Sequence, residues 1–116
     1  MLGQLAYVAL GGALGSVLRA LVGASVGFPM GTLTVNVVGS FLIGIAFAAG
    51  IADRTYGPFL MIGLFGGFTT FSTFSLDTLK LVQGGQVGLA LAYIAGSVAL
   101  SLVAVWAGYV LGGRWA

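Results

Sequence analysis

Apolar positions run almost without interruption along the chain, and the stretches that break them are short: Phe28-Pro29-Met30-Gly31, Asp53-Arg54-Thr55-Tyr56-Gly57 and Gln83-Gly84-Gly85-Gln86. A helix needs roughly 20 predominantly apolar residues to cross a hydrocarbon core. Four runs of that size fit between the breaks, at about residues 3–24, 32–51, 58–81 and 87–111. Pro58 stands in the first turn of the third run, where its fixed φ and missing N–H do no harm. The pattern predicts an all-α membrane protein, one domain of four transmembrane helices. The first residues lack the basic start of a secretory signal, although Val22-Gly23-Ala24 resembles a cleavage site, so they are expected to belong to the first span.

Charge sharpens this. Of 116 residues 59% are hydrophobic, and only Arg19, Arg54, Lys80, Arg114, Asp53 and Asp77 carry charge. A soluble domain has about a quarter charged residues, so this chain has nothing with which to cover a water-facing surface. The four cations lie far apart in sequence, which argues against nucleic acid as a partner. With no Cys, His or Glu, there are no disulfides, no thiolate or imidazole metal ligands and no Cys or His nucleophile. Four spans put both termini and the Asp53/Arg54 turn on one side. Arg54 and Arg114 then lie on that side, against Arg19 and Lys80 on the other, so the positive-inside rule gives no orientation. Oppositely inserted copies forming an antiparallel homodimer are expected, unless a feature outside the cation count fixes one orientation. The Arg114-Trp115 tail is expected at an interface.

Polar residues inside the spans are few and patterned. Gly11, Gly15, Arg19, Gly23 and Gly27 recur every four residues, a strip that lets helix backbones approach closely. Arg19 on that strip either faces a partner or water, or snorkels from the helix end. Thr32, Asn36 and Ser40 share one face of the second span, and Tyr93, Ser97 and Ser101 one face of the fourth, at i, i+4 and i+8. Asn36 is the sole Asn; buried, it must bond either a neighbouring helix or a ligand. Two such stripes read as walls of a polar path. Gly66-Gly67 followed by Phe68-Thr69-Thr70 is poor helix material, and in mid-span it predicts a broken third helix whose freed backbone can hold ions. Carbonyls suit a hard cation, whereas amides, hydroxyls and ring edges suit an anion. From spacing alone, Phe71 and Phe74 read as ordinary packing. Asp77 and Lys80, three apart near the end of the span, are placed to form a surface pair.

Gly11-Gly12-Ala13-Leu14-Gly15-Ser16-Val17-Leu18-Arg19, then Gly31-Thr32-Leu33-Thr34-Val35-Asn36-Val37-Val38-Gly39-Ser40-Phe41, then Gly66-Gly67-Phe68-Thr69-Thr70-Phe71-Ser72-Thr73-Phe74-Ser75 resemble the Fluc/CrcB fluoride channels, in order and over the whole chain. The resemblance implies a dual-topology homodimer in the cell inner (plasma) membrane, exporting cytoplasmic fluoride passively through two pores lined by both subunits. Phe71 and Phe74 would coordinate fluoride with their ring edges, and Asn36 would be the pore amide donor. Ser72, Thr73, Tyr93, Ser97 and Ser101 would form a hydroxyl track, with Arg19 near the vestibule. Backbone carbonyls of Gly66 and Thr69 would hold a central structural sodium ion (Na+). No role is implied for Asp77.

Two other classes compete. Small multidrug exporters share the length and span count, but need a first-helix Glu to carry proton and drug, and this chain has none. A non-transporting membrane subunit would use its glycines and hydroxyls for packing alone. No acid, base or nucleophile constellation lies in the spans, so an enzyme is not expected.

Overall fold

The computed structural model describes residues 1–115, with the backbone alone at 114 and 115, so the expected interfacial side chains of Arg114 and Trp115 lie outside it. Among the described residues there are helices and turns and no strand. Helix α1 spans Leu2–Val26, α2 Met30–Ala48, α3 Phe65–Phe68, α4 Phe71–Gln83 and α5 Val87–Trp115. A 3₁₀ turn at Ile51–Asp53 follows α2, and a π-helical stretch at Phe59–Leu64 runs directly into α3. Among the described residues, four helical segments are long and apolar enough to cross a membrane: Leu2–Val26, Met30–Ala48, Phe59–Gln83 and Val87–Gly113.

The ends of these segments have local causes. The second run stops at Ala48 rather than near residue 51, because Gly50 takes a left-handed conformation (φ 76°) and the chain beyond it tightens into the 3₁₀ turn. The fourth run continues past Leu111 through two glycines. A Cβ on Gly112 would sit 2.6 Å from the Ile45 carbonyl oxygen, so this glycine packs α5 on α2 rather than ending the helix. The same α2·α5 crossing is closest where Gly44 faces the Val105 carbonyl and Gly108 faces the Phe41 carbonyl, positions at which any side chain would collide with backbone.

Helix α1 packs along the π-helical stretch and α3, while α4 lies against α5. Leu81, Ala90 and Tyr93 form the buried apolar cluster, with Leu33 and Phe74 packed on it. These residues come from α2, α4 and α5. Lys80 does not pair with Asp77 as expected; its Nζ lies 5.8 Å from the centre of the Phe28 ring, across the turn between α1 and α2. Asp77 is only 5% exposed and turns inward instead, away from any surface pair.

Candidate functional site

Between α3 and α4 the helix stops. Thr69 (φ −88°, ψ 161°) and Thr70 (φ −156°, ψ 127°) are extended, and the helix resumes at Phe71. Two extended residues in an apolar segment free backbone groups, which persist there only where protein partners or a water-filled cavity cover them. Asn36 supplies two: its Nδ2 donates to the Thr70 carbonyl at 3.0 Å, and the Thr70 N–H donates to its Oδ1 at 2.7 Å. The amide side chain thus mimics a strand neighbour for one residue. Thr70 in turn caps α4, its Oγ1 accepting from the Thr73 N–H at 3.1 Å. The Gly67 carbonyl accepts from Arg19 Nε at 3.0 Å. Among the described residues no donor reaches the carbonyls of Gly66 or Thr69.

A groove of about 320 Å³ opens beside this interruption. Asn36 and Ser40 from α2, Ser97 and Ser101 from α5, and Thr69, Thr70, Phe71 and Phe74 line it. The two polar stripes therefore face each other, because α2 and α5 pack side by side and helical periodicity keeps each stripe on one face. Phe71 is 77% exposed at the head of α4. Its ring lies 5.4 Å from that of Phe74, which lies 5.4 Å from that of Tyr93. Tyr93 is buried beyond the groove, and Ser72 bonds Thr70 through their hydroxyls at 3.2 Å. Thr73 contributes its backbone N–H to the cap; Ser72, Thr73 and Tyr93 are not among the residues lining the groove.

Ser97 differs from the hydroxyls that bond back into their own helix. Ser25, Thr34, Thr69, Ser75 and Thr78 each bond back to the carbonyl four residues earlier. Ser97 Oγ is buried, lines the groove and has no hydrogen-bond partner among the described residues. A buried hydroxyl left so costs about 1–3 kcal/mol.

A second polar cluster gathers around Asp77, for which no role was expected. Asp77 Oδ2 accepts from Thr32 Oγ1 at 2.7 Å and from the Tyr93 hydroxyl at 3.2 Å. The outer members of both stripes thus meet on one carboxyl. The available signal was an acidic residue inside an apolar run, which is costly unless donors surround it.

A sequence model of the family described as "CrcB-like protein, Camphor Resistance (CrcB)" matches residues 6–109. The chain belongs to the CrcB-like family. Among curated CrcB-like relatives, "Fluoride-specific ion channel FluC" of Thermus thermophilus is 51% identical over 115 residues, covering 91% of each chain. The protein of the same name from Cereibacter sphaeroides is 49% identical over 125 residues, covering 99% of this chain and 98% of its own. That of Nitrobacter winogradskyi is 54% identical over 112 residues, covering 87% and 88%. Likeness over nearly the full length places every groove residue within the CrcB-like match.

Proposed function

We propose that this protein is a fluoride-selective channel, not an enzyme, through which cytoplasmic fluoride leaves the cell passively. The relatives named as fluoride-specific channels support the ion, and Ser97 carries the pathway: a buried hydroxyl in a groove with no protein partner is a donor kept for something that passes. Fluoride is small and tightly hydrated, so a pore must offer several substitutes for water without trapping the ion. Neutral donors do this. Asn36 keeps a second N–H beyond the one given to Thr70, Ser97 and Ser101 bring hydroxyls, and Phe71 and Phe74 bring electropositive ring edges. Ser72, Thr73 and Tyr93 extend the track on either side of the groove, and Arg19 lends positive charge to its vestibule.

The working unit is an antiparallel homodimer in the plasma (inner) membrane, with two pores lined by both subunits. The even cation count and the exposure of Phe71 beside a half-open groove support it, since a second copy would close the groove. The interruption at Thr69–Thr70 is the break in the third span. The unclaimed carbonyls of Gly66 and Thr69 fit a structural Na+, because neutral backbone oxygens suit a hard cation and two copies double their number. When bound, the ion would supply positive charge that holds those carbonyls together at the dimer centre.

The test is efflux from liposomes of purified protein loaded with potassium fluoride or potassium chloride. Fluoride loss without a proton gradient, and none for chloride, is expected. Retention of fluoride by folded protein would overturn the proposal and leave a packing subunit.

A further inference from the structure

The interruption of the third span frees the Gly67 carbonyl. Its helical partner would be the Phe71 N–H, but Phe71 begins α4 beyond two extended residues and does not reach back. An unpaired carbonyl at that depth would be as expensive as the Thr70 groups that Asn36 takes up. Arg19 provides the donor, and it does so with Nε, the nitrogen inside the side chain, rather than with the terminal nitrogens that carry most of the outward reach.

The placement is set by backbone contact rather than by the arginine itself. Gly15 faces the Leu64 carbonyl and Gly11 the Phe59 carbonyl at distances that exclude any side chain. A Cβ on Gly67 would lie 2.8 Å from the Gly12 carbonyl oxygen. Arg19 is one turn beyond Gly15 on the same face of α1, so the glycine contacts deliver its side chain to Gly67. The guanidinium is half-buried there rather than extended into solvent. The first part of the four-residue repeat, Gly11, Gly15 and Arg19, is therefore one device: the two glycines bring α1 against the third span, and Arg19 ends the seam with a directed bond.

We propose that Arg19 is a positioning residue of the interrupted span, acting through the hydrogen bond of its Nε to the Gly67 carbonyl and not only through its charge. Held toward α1, the Gly67 carbonyl is kept out of the groove, and the peptide units on either side, which carry the Gly66 carbonyl and lead to Thr69, are fixed in turn. The pore then keeps its donors facing the groove without an inward carbonyl to repel an anion. This rests on the channel reading, but its structural part stands apart from flux.

Side-chain length separates donor from charge. Gln places its amide nitrogen the same number of bonds from Cα as Arg Nε, with no charge. Lys keeps the charge but has a methylene at that point, and Met has neither donor nor charge there. Wild type, Arg19→Gln, Arg19→Lys and Arg19→Met are compared in two ways. Fluoride efflux from liposomes is expected to slow only a few-fold in Arg19→Gln, which loses the vestibule charge but keeps the donor, and by about ten-fold or more in Arg19→Lys and Arg19→Met, which lose the donor. The second readout does not use flux. Gly-Phe occurs at Gly27-Phe28 and Gly67-Phe68 alone, so carbonyl-13C glycine with 15N phenylalanine gives two resolved pairs in solid-state NMR. The Gly67 carbonyl signal is expected to hold in Arg19→Gln and to move upfield in the other two, while that of Gly27 stays. Flux kept by Lys and lost by Gln would overturn the proposal in favour of charge alone. Equal behaviour of all three variants, or an unmoved Gly67 signal in Arg19→Met, would overturn it as well. Absence of flux in wild type with the NMR pattern intact would fault the channel reading instead.

Discussion

Replacing Asn36 tests how the interrupted span is held. The side chain makes two bonds to one residue, donating to the Thr70 carbonyl at 3.0 Å and accepting from its N–H at 2.7 Å. Ordinary interhelical hydrogen bonds within bilayers average about 0.6 kcal/mol, so two of them alone give about 1.2 kcal/mol. Here the partner is extended backbone with no intrahelical alternative, and stranding its N–H adds about 1–3 kcal/mol. Asn36→Ala is therefore expected to lose about 2–4 kcal/mol, above what two average bonds supply. Asn36→Asp keeps an acceptor for the Thr70 N–H but sets a carboxylate oxygen against the Thr70 carbonyl, so it is expected to fall no better than Ala. Unfolding by sodium dodecyl sulfate in mixed micelles, followed by circular dichroism, measures both. A loss below about 1 kcal/mol in Asn36→Ala would refute the reasoning, because the Thr70 backbone would then have another partner.

Three further outcomes follow from the same geometry. Gly108→Ala drives a Cβ into the Phe41 carbonyl at the α2·α5 crossing and is expected to lower the thermal stability of the purified protein sharply. Gly88→Ala, with nothing within 4 Å, is expected to leave it unchanged in the same melting assay. Asp77→Leu strands the Thr32 and Tyr93 hydroxyls at about 1–2 kcal/mol each, whereas Asp77→Asn keeps an acceptor oxygen and is expected to recover most of that in detergent unfolding. The chain has no Cys, so Thr55→Cys in the exposed turn after α2 gives one label site; in spheroplasts a membrane-impermeant maleimide is expected to reach roughly half the copies if both orientations insert.

Much of the fold could be read from the chain because hydropathy in a membrane is a direct structural signal. Runs long enough to cross, broken by Pro29, Pro58 and Gly84-Gly85, leave few ways to place helices. The stripes at Asn36 and Ser40, and at Ser97 and Ser101, were legible from helical periodicity, although only the packing of α2 on α5 brings them to one groove. What was not legible lives between segments. Backbone groups have no letter in the sequence, so nothing marked Thr70 as the residue Asn36 holds or Gly67 as the residue Arg19 holds. Asp77 looked like half of a local pair with Lys80 because i+3 spacing is local; its actual partners are on two other helices. Gly50 ended α2 early through a left-handed turn, whereas Gly112, equally plausible as a stop, packs inside α5. The same residue type served opposite ends, and only tertiary contact tells them apart.

The central claim is that fluoride passes the groove beside the interrupted span, with Phe71 in its path. The most direct measurement is fluoride efflux from liposomes, followed with a fluoride electrode, for wild type and Phe71→Ile, with chloride-loaded vesicles alongside. Phe71 is largely exposed within one subunit, so its replacement leaves that subunit's packed interior intact. The expected result is rapid fluoride loss for wild type, none for Phe71→Ile, and chloride retained by both. Fluoride flux in Phe71→Ile equal to that of wild type would contradict the pathway.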